Sequence, residues 1–186
     1  MQDTDVELIE QYENGAKSSL NILIERYLGA VYNLSFRLLG RKEEVEDITQ
    51  EVFLKVIRNL HKFDKNKNFK VWIYSITRNT VTDYFRKKKS LNFSSLNSED
   101  EDVESFEANI KDESDDQFEI LERKENLILL EKALDNLSED EKLIISLKHT
   151  EDMTFFEIGE IMSEPLNTVK SRYLRALKKM KTNIKK

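Results

Sequence analysis

The chain has 186 residues, 39% hydrophobic and 35% charged, with a net charge of −6, which suits one ordinary domain or two small ones with modest cores. Only 4 Gly and 1 Pro speak against a turn-rich β fold, and 0 Cys excludes a disulfide framework, a thiolate metal site and a cysteine nucleophile. The acidic start MQDTDVELIEQ carries no secretory h-region, and the longest apolar runs, such as Leu127 to Leu130, are far too short to cross a bilayer, so a cytoplasmic protein with no membrane insertion of its own is expected.

Val6, Leu8, Ile9 and Tyr12 predict a short first helix ending near Gly15. A longer one follows from Leu20 to Leu39, with Gly40 suited to the left-handed position past its end. Glu43, Glu44 and Glu46 open a third helix, where acids favour the positive end of the dipole. Its core side is Val45, Ile48, Val52, Val56 and Leu60, while Asp47, Gln50 and Leu54 share another face. By itself that Asp-Gln pair reads as solvated surface.

After the polar loop HKFDKNKN, Asn68 can cap a fourth helix with the apolar stripe Phe69, Trp72, Ile73 and Ile76. Asn79, Asp83, Arg86 and Lys87 fall on one face of it. Aromatic residues interleaved with bases and amides suit single-stranded nucleic acid, where bases stack on rings and phosphates meet cations. Trp72 is expected in the core or its rim; Tyr74 and Tyr84 fit either role.

From about Ser90 the composition turns acidic: eleven Asp and Glu between Glu99 and Glu119 surround a single base, Lys111. Such a segment buries too little apolar surface to offset its ordering entropy, so a flexible acidic linker is expected. Leu121, Leu127, Leu130, Leu134 and Leu137 resume helical spacing, and Ser138 with Glu141 forms a capping box. A second box, Thr154 with Glu157, opens a short helix with Phe155, Ile158, Ile161 and Met162 inward. Ser163-Glu164-Pro165 breaks it, and Pro165 suits the first turn of the next helix. There Leu166, Val169, Tyr173 and Leu177 are the expected buried face, leaving Lys170, Ser171, Leu174, Arg175 and Lys178 outward.

This is the packing logic of a helix-turn-helix, whose second helix enters the DNA major groove. No acid follows Glu164, whereas Lys170, Arg172, Arg175, Lys178, Lys179, Lys181, Lys185 and Lys186 do, the one-signed footprint expected of phosphate contact. An ordinary helical hairpin with a solvated basic face is the plainer reading. His61 and His149 sit near helix ends far apart in sequence, and no catalytic residue, metal site or cofactor is expected.

Two motifs together resemble one family. EEVEDITQEVFLKVIRNLHKF with FKVWIYSITRNTVTDYFRKKK is similar to the promoter-opening domain of bacterial sigma factors, and LSEDEKLIISLKHTEDMTFFEIGEIMSEPLNTVKSRYLRALKKM to their C-terminal promoter-reading domain. Their order and the intervening linker resemble the extracytoplasmic-function group. The resemblance implies an all-α fold of two small helical domains, an N-terminal one over 1–92 and a helix-turn-helix one over 119–186, joined by a flexible acidic linker over 93–118. It implies no enzyme, but a protein that binds core RNA polymerase, directs it to promoters and helps separate the strands, with an anti-sigma factor as a further partner.

By that resemblance Asp47, Gln50, Phe53 and Leu54 dock on the coiled coil of the polymerase's largest subunit. Asp64, Lys65, Asn66, Lys67 and Asn68, with Asn79, Asp83, Arg86 and Lys87, match the part that captures the melted strand of the −10 element. Thr168, Lys170, Ser171, Leu174, Arg175 and Lys178 match the recognition-helix positions on the −35 duplex, where Arg and Lys donate to guanine N7 and O6. Gly159 stands where the family usually has Ala, and Lys142 where Arg is common. Two other readings compete with this one: a regulator that binds operators without polymerase, and an RNA-binding adaptor.

Overall fold

The computed structural model describes residues 3–39, 42–94, 133–134 and 137–184, and all its regular structure among them is helical. The acidic linker and most of the helix expected from Leu121 to Leu137 lie outside the described residues. Four helices make the N-terminal half: α1 (Asp5–Glu13), α2 (Lys17–Leu39), α3 (Lys42–Asn59) and α4 (Phe69–Ser94), with a single 3-10 turn at Leu60–Lys62. The C-terminal half contains, among the described residues, α5 (Glu139–His149), α6 (Phe155–Met162) and α7 (Leu166–Ile184), with residues 133–134 helical as well.

Local chemistry sets the helix starts. Thr4 with Glu7, Ser138 with Glu141 and Thr154 with Glu157 all form reciprocal capping boxes; each satisfies two backbone donors that the helix leaves without partners. Asn68 caps α4, accepting from the Lys70 N–H at 2.9 Å. Gly15 follows α1 with φ of 99°, a conformation that a side chain would strain. Inside α4 the hydroxyls of Ser75, Thr77, Thr80 and Thr82 each donate to the carbonyl four residues back. That is how Thr77 and Thr80 are buried without an unmet donor.

Helices α1 to α4 wrap Leu8, Ile9, Val31, Leu34, Val52 and Ile73 into a closed core. The core does not stop at the end of α4. It continues through Tyr74 to Leu143, Ile144 and Leu147 of α5 and to Ile158 and Ile161 of α6, with α4 packed on α6 and α2 on α5. A smaller cluster of Leu137, Ile145 and Ala176 seats α7 on α5.

One expected face is corrected. Val169 is buried and Tyr173 half-buried in α7, but Leu166 and Leu177 are exposed and Ala176 takes the inward place. The helix rolls so that a small side chain meets Ile145 and Leu137, and the two leucines lie at the rim.

Candidate nucleic-acid interface

The turn between α6 and α7 aims the second helix. Ser163 ends α6 in the left-handed conformation, with φ of 55°, and the Glu164 N–H donates back to the Gly159 carbonyl at 2.9 Å. A Cβ on Gly159 would come within 2.8 Å of the Glu164 carbonyl oxygen. The need for glycine therefore lies in the turn folding back over its own helix more than in the approach of α7, whose nearest side-chain atom, on Val169, is 3.9 Å away.

On α7, Lys170, Ser171, Leu174, Arg175 and Lys178 are exposed, Leu174 at 65%, and Thr168 is half-buried, its carbonyl accepting from the Ser171 hydroxyl at 2.9 Å. Lys170, Arg175 and Lys178 pair with no carboxylate among the described residues. Their neighbours are tied down. Arg172 binds Asp140 of α5 and lies 2.9 Å from Glu164, and Lys179 reaches Glu141 at 2.8 Å. Burial works to raise the Glu141 carboxyl, but the Lys179 ammonium and the Ser138 N–H outweigh it and hold it below its usual range. These five bases of α7 thus divide into an unpaired stripe, Lys170, Arg175 and Lys178, and two structural bases, Arg172 and Lys179.

The loop before α4 is built by its own side chains. The Asp64 carboxylate accepts from the Asn66 N–H at 3.0 Å and side-chain amide at 3.1 Å, and the Lys67 N–H donates to the Asp64 carbonyl at 2.9 Å. Lys65 turns away to Glu13 at 2.7 Å, the contact that raises its pKa most. Asp64 and Lys65 therefore shape and tether the loop, while Asn66, Lys67 and Asn68 stand exposed at one end of a cleft of about 430 Å³. Trp72 lines that cleft at the core's rim, its ring 5.2 Å from Phe63 and 5.5 Å from Phe69. Tyr74 is fully buried, and Tyr84 is half-buried beside Phe85. Further along α4, Asn79, Arg86 and Lys87 are exposed, and Asp83 holds Arg86 at 2.9 Å.

On α3, Asp47 and Gln50 are exposed and Leu54 is 51% exposed, so these three form one solvent-facing patch. Phe53 is only 8% exposed and belongs to the core. It supports that patch from beneath and is not part of its surface.

Sequence patterning missed Glu151. Its side chain, 11% exposed, lies in the α5–α6 turn and accepts from the Tyr74 hydroxyl at 2.5 Å, with Lys70 at 3.3 Å and Arg37 at 3.8 Å. Burial first, then the bond to Glu151, pushes the Tyr74 hydroxyl far above the usual tyrosine range and keeps it a donor. No local pattern announces a partner 77 positions away.

Comparison with known proteins agrees with both halves. Residues 23–91 match the family Sigma-70 region 2, and residues 133–182 match Sigma-70, region 4. The chain is 31% identical over 185 residues to the ECF RNA polymerase sigma-E factor of Haemophilus influenzae, covering 97% of this chain and 95% of that one. It is 28% identical over 180 residues to the ECF sigma factor SigW of Bacillus subtilis, covering 95% of each. Among solved structures, the sigma factor RpoE of Bartonella quintana, determined with the anti-sigma factor NepR, superposes with a TM-score of 0.67 at 22% identity, covering 87% of this chain and 94% of that one. With both regions matched in order and such identity along nearly the whole length, the chain belongs to the ECF sigma factors of RNA polymerase.

Proposed function

We propose that this sigma factor divides its work among the three surfaces described above. The free stripe of α7 reads the −35 duplex, with Arg175 and Lys170 donating to base edges, Ser171, Thr168 and Leu174 beside them, and Lys178 on phosphate. Asn66, Lys67 and Asn68, with Asn79, Arg86 and Lys87 further along α4, receive the melted −10 strand, and Asp64, Lys65 and Asp83 hold that surface in shape. Asp47, Gln50 and Leu54 dock on core polymerase, with Phe53 as their buried support.

The observation that carries this reading is the division of bases on α7. Lys170, Arg175 and Lys178 are exposed and without carboxylate partners among the described residues, whereas Arg172 and Lys179 on the same helix are neutralised. A row of uncompensated cations on a helix set by a helix-turn-helix is what phosphate and guanine require.

The same reading makes the chain a cytoplasmic binding protein and not an enzyme, built as units over 1–92 and 119–186 with a spacer over 93–118. An anti-sigma factor is a further partner, as for the RpoE of Bartonella quintana. Run-off transcription with purified core polymerase tests it. Specific transcripts should appear only when the chain and core polymerase are both present, and Arg175→Ala should reduce them at promoters with a −35 element. Tight operator binding without polymerase, and no transcript with it, would favour the stand-alone regulator.

A further inference from the structure

Helix α1 lies ahead of residues 23–91, which carry the match to region 2, yet it is part of the core. Its Leu8 and Ile9 are buried there, and Asp5 accepts from Arg26 and from the Tyr27 hydroxyl, both at 2.5 Å. Glu10 and Glu13, three positions apart, stand exposed on one side of it. The Lys65 ammonium lies 3.5 Å from the first and 2.7 Å from the second. Lys65 belongs to the loop before α4. Phe63 and Phe69 close the base of that loop, edge to face with ring centroids 5.3 Å apart, and residues 64–68 between them are all exposed. The turn around Asp64 orders the loop from within, and Lys65 ties it from outside to α1. Lys67, two residues on, pairs with no carboxylate among the described residues. Of the loop's two cations, α1 neutralises one and leaves the other open.

We infer that α1 is a specificity element of the single-strand surface: by holding Lys65, Glu10 and Glu13 set the shape in which Asn66, Lys67 and Asn68 are presented and keep the Lys65 charge away from phosphate. The inference rests on the assignment of that loop to the melted strand. Amides and cations meet DNA in different ways. Amide hydrogen bonds to base edges are directional and need the loop placed to within about 0.5 Å. An ammonium attracts any phosphate, whatever the base, and each phosphate neutralised on a single strand adds about 0.7 to the slope of log affinity against log salt. A released Lys65 would therefore strengthen binding to every sequence alike while the loop lost its register. An exposed ion pair adds little to global stability, so Glu10 and Glu13 act as positioning residues for the loop and not as supports of the fold. The tether lies wholly within the N-terminal half and uses no group of α5, α6 or α7.

Glu10→Gln with Glu13→Gln removes the two charges and keeps the side chains' size. Lys65→Met removes the held cation and serves as the second variant. Neither should move the melting temperature of the full chain, and a drop in both would place the tether in the fold and overturn the inference. Assembled with core polymerase, each holoenzyme selects from a random-sequence single-stranded DNA library at stepped salt, and sequencing of the bound fraction gives the base preference at each position. Preference at the most selective position should fall roughly twofold to fivefold in both variants. Only the glutamine pair should bind the random library more tightly, with a salt slope steeper by about 0.7; Lys65→Met should leave the slope as it is. Reversing the pair, with Lys65→Glu and Glu13→Lys in the Glu10→Gln background, should restore the preference, which a loss of packing would not allow. Unchanged base preference in both variants would overturn the inference. So would a shallower slope for Lys65→Met, which would make Lys65 a phosphate contact. Lys67→Ala with Asn68→Ala in the holoenzyme separates this from the assignment of the loop: loss of promoter melting there upholds the loop's role whatever α1 does, and unimpaired melting removes it.

Discussion

Arg172 places its guanidinium 2.9 Å from Glu164, tying the recognition helix to the turn that precedes it, and binds Asp140 of α5 with the same group. The other Glu164 carboxylate oxygen is buried without a hydrogen-bond partner. Removing Arg172 leaves that carboxylate uncompensated in a half-buried site, at a cost of about 2 kcal/mol, below the roughly 3–5 kcal/mol of a fully buried pair. Arg172→Ala should therefore lower the urea midpoint and weaken binding to all sequences alike. Arg175→Ala should leave the midpoint unchanged and lose about 1–3 kcal/mol of discrimination at one base position. Binding measured across single-base variants of a −35 duplex tells the two apart, and matching profiles would refute the division of α7.

Gly159→Ala sets helix propensity against the turn. Alanine gains about 1 kcal/mol inside a helix, but its Cβ would meet the Glu164 carbonyl oxygen at 2.8 Å. A backbone atom cannot swing aside as a side chain does, and overpacking of this kind costs about 1–3 kcal/mol. Net destabilisation is expected, read as a lower melting temperature, with weaker −35 binding because the turn that aims α7 must shift. A raised melting temperature would mean that the turn relaxes freely.

Acid should loosen the C-terminal half. The Thr154 N–H at 2.8 Å and hydroxyl at 2.7 Å hold Glu157 below its ordinary value of 4.5, with Lys70 and Lys148 helping against slight burial. Glu141 is lowered in the same direction. A carboxyl whose folded pKa is depressed adds stability that is fully present above the unfolded value and is lost as pH falls through the folded one. The contribution of these two carboxylates should be fully present above about pH 5 and decline below about pH 4.5, whereas Glu139, raised by burial, works in the opposite direction. Glu157→Gln should flatten part of that decline in urea titrations at stepped pH, and an unaltered slope would show that the capping carboxylate contributes nothing.

Adjacent residues on α3 should fail in different ways. Phe53→Ala opens a cavity in the core and should cost about 3–5 kcal/mol of stability. Leu54→Ala, or Asp47→Ala with Gln50→Ala, removes only exposed groups, so circular dichroism and melting should be unchanged while co-purification with core polymerase drops sharply. Full retention by the Asp47 and Gln50 variant would move the docking face elsewhere.

Much of this molecule is legible in its sequence because the interactions concerned are short. A capping box joins residues only three positions apart, so the pairs Ser138–Glu141 and Thr154–Glu157 show as letters at a fixed offset, and the break at Ser163-Glu164-Pro165 marks the turn. The outward stripe of α7 follows from helical spacing alone. The tertiary structure decided whatever depends on partners distant in sequence. Tyr74 and Trp72 sit two residues apart with similar apolar bulk, yet one is buried on Glu151 and the other lines the cleft. Ala176 faces inward against Ile145 and Leu137 where Leu177 fits the same helical pattern, because the docking of α7 on α5 decides which side is covered. Arg172 and Arg175 are indistinguishable as letters on a basic helix; Asp140 and Glu164 make one of them structural. Periodicity records which side of a helix is apolar, but which carboxylate meets which base depends on the docking of whole helices, and one helix carries no trace of where another will lie.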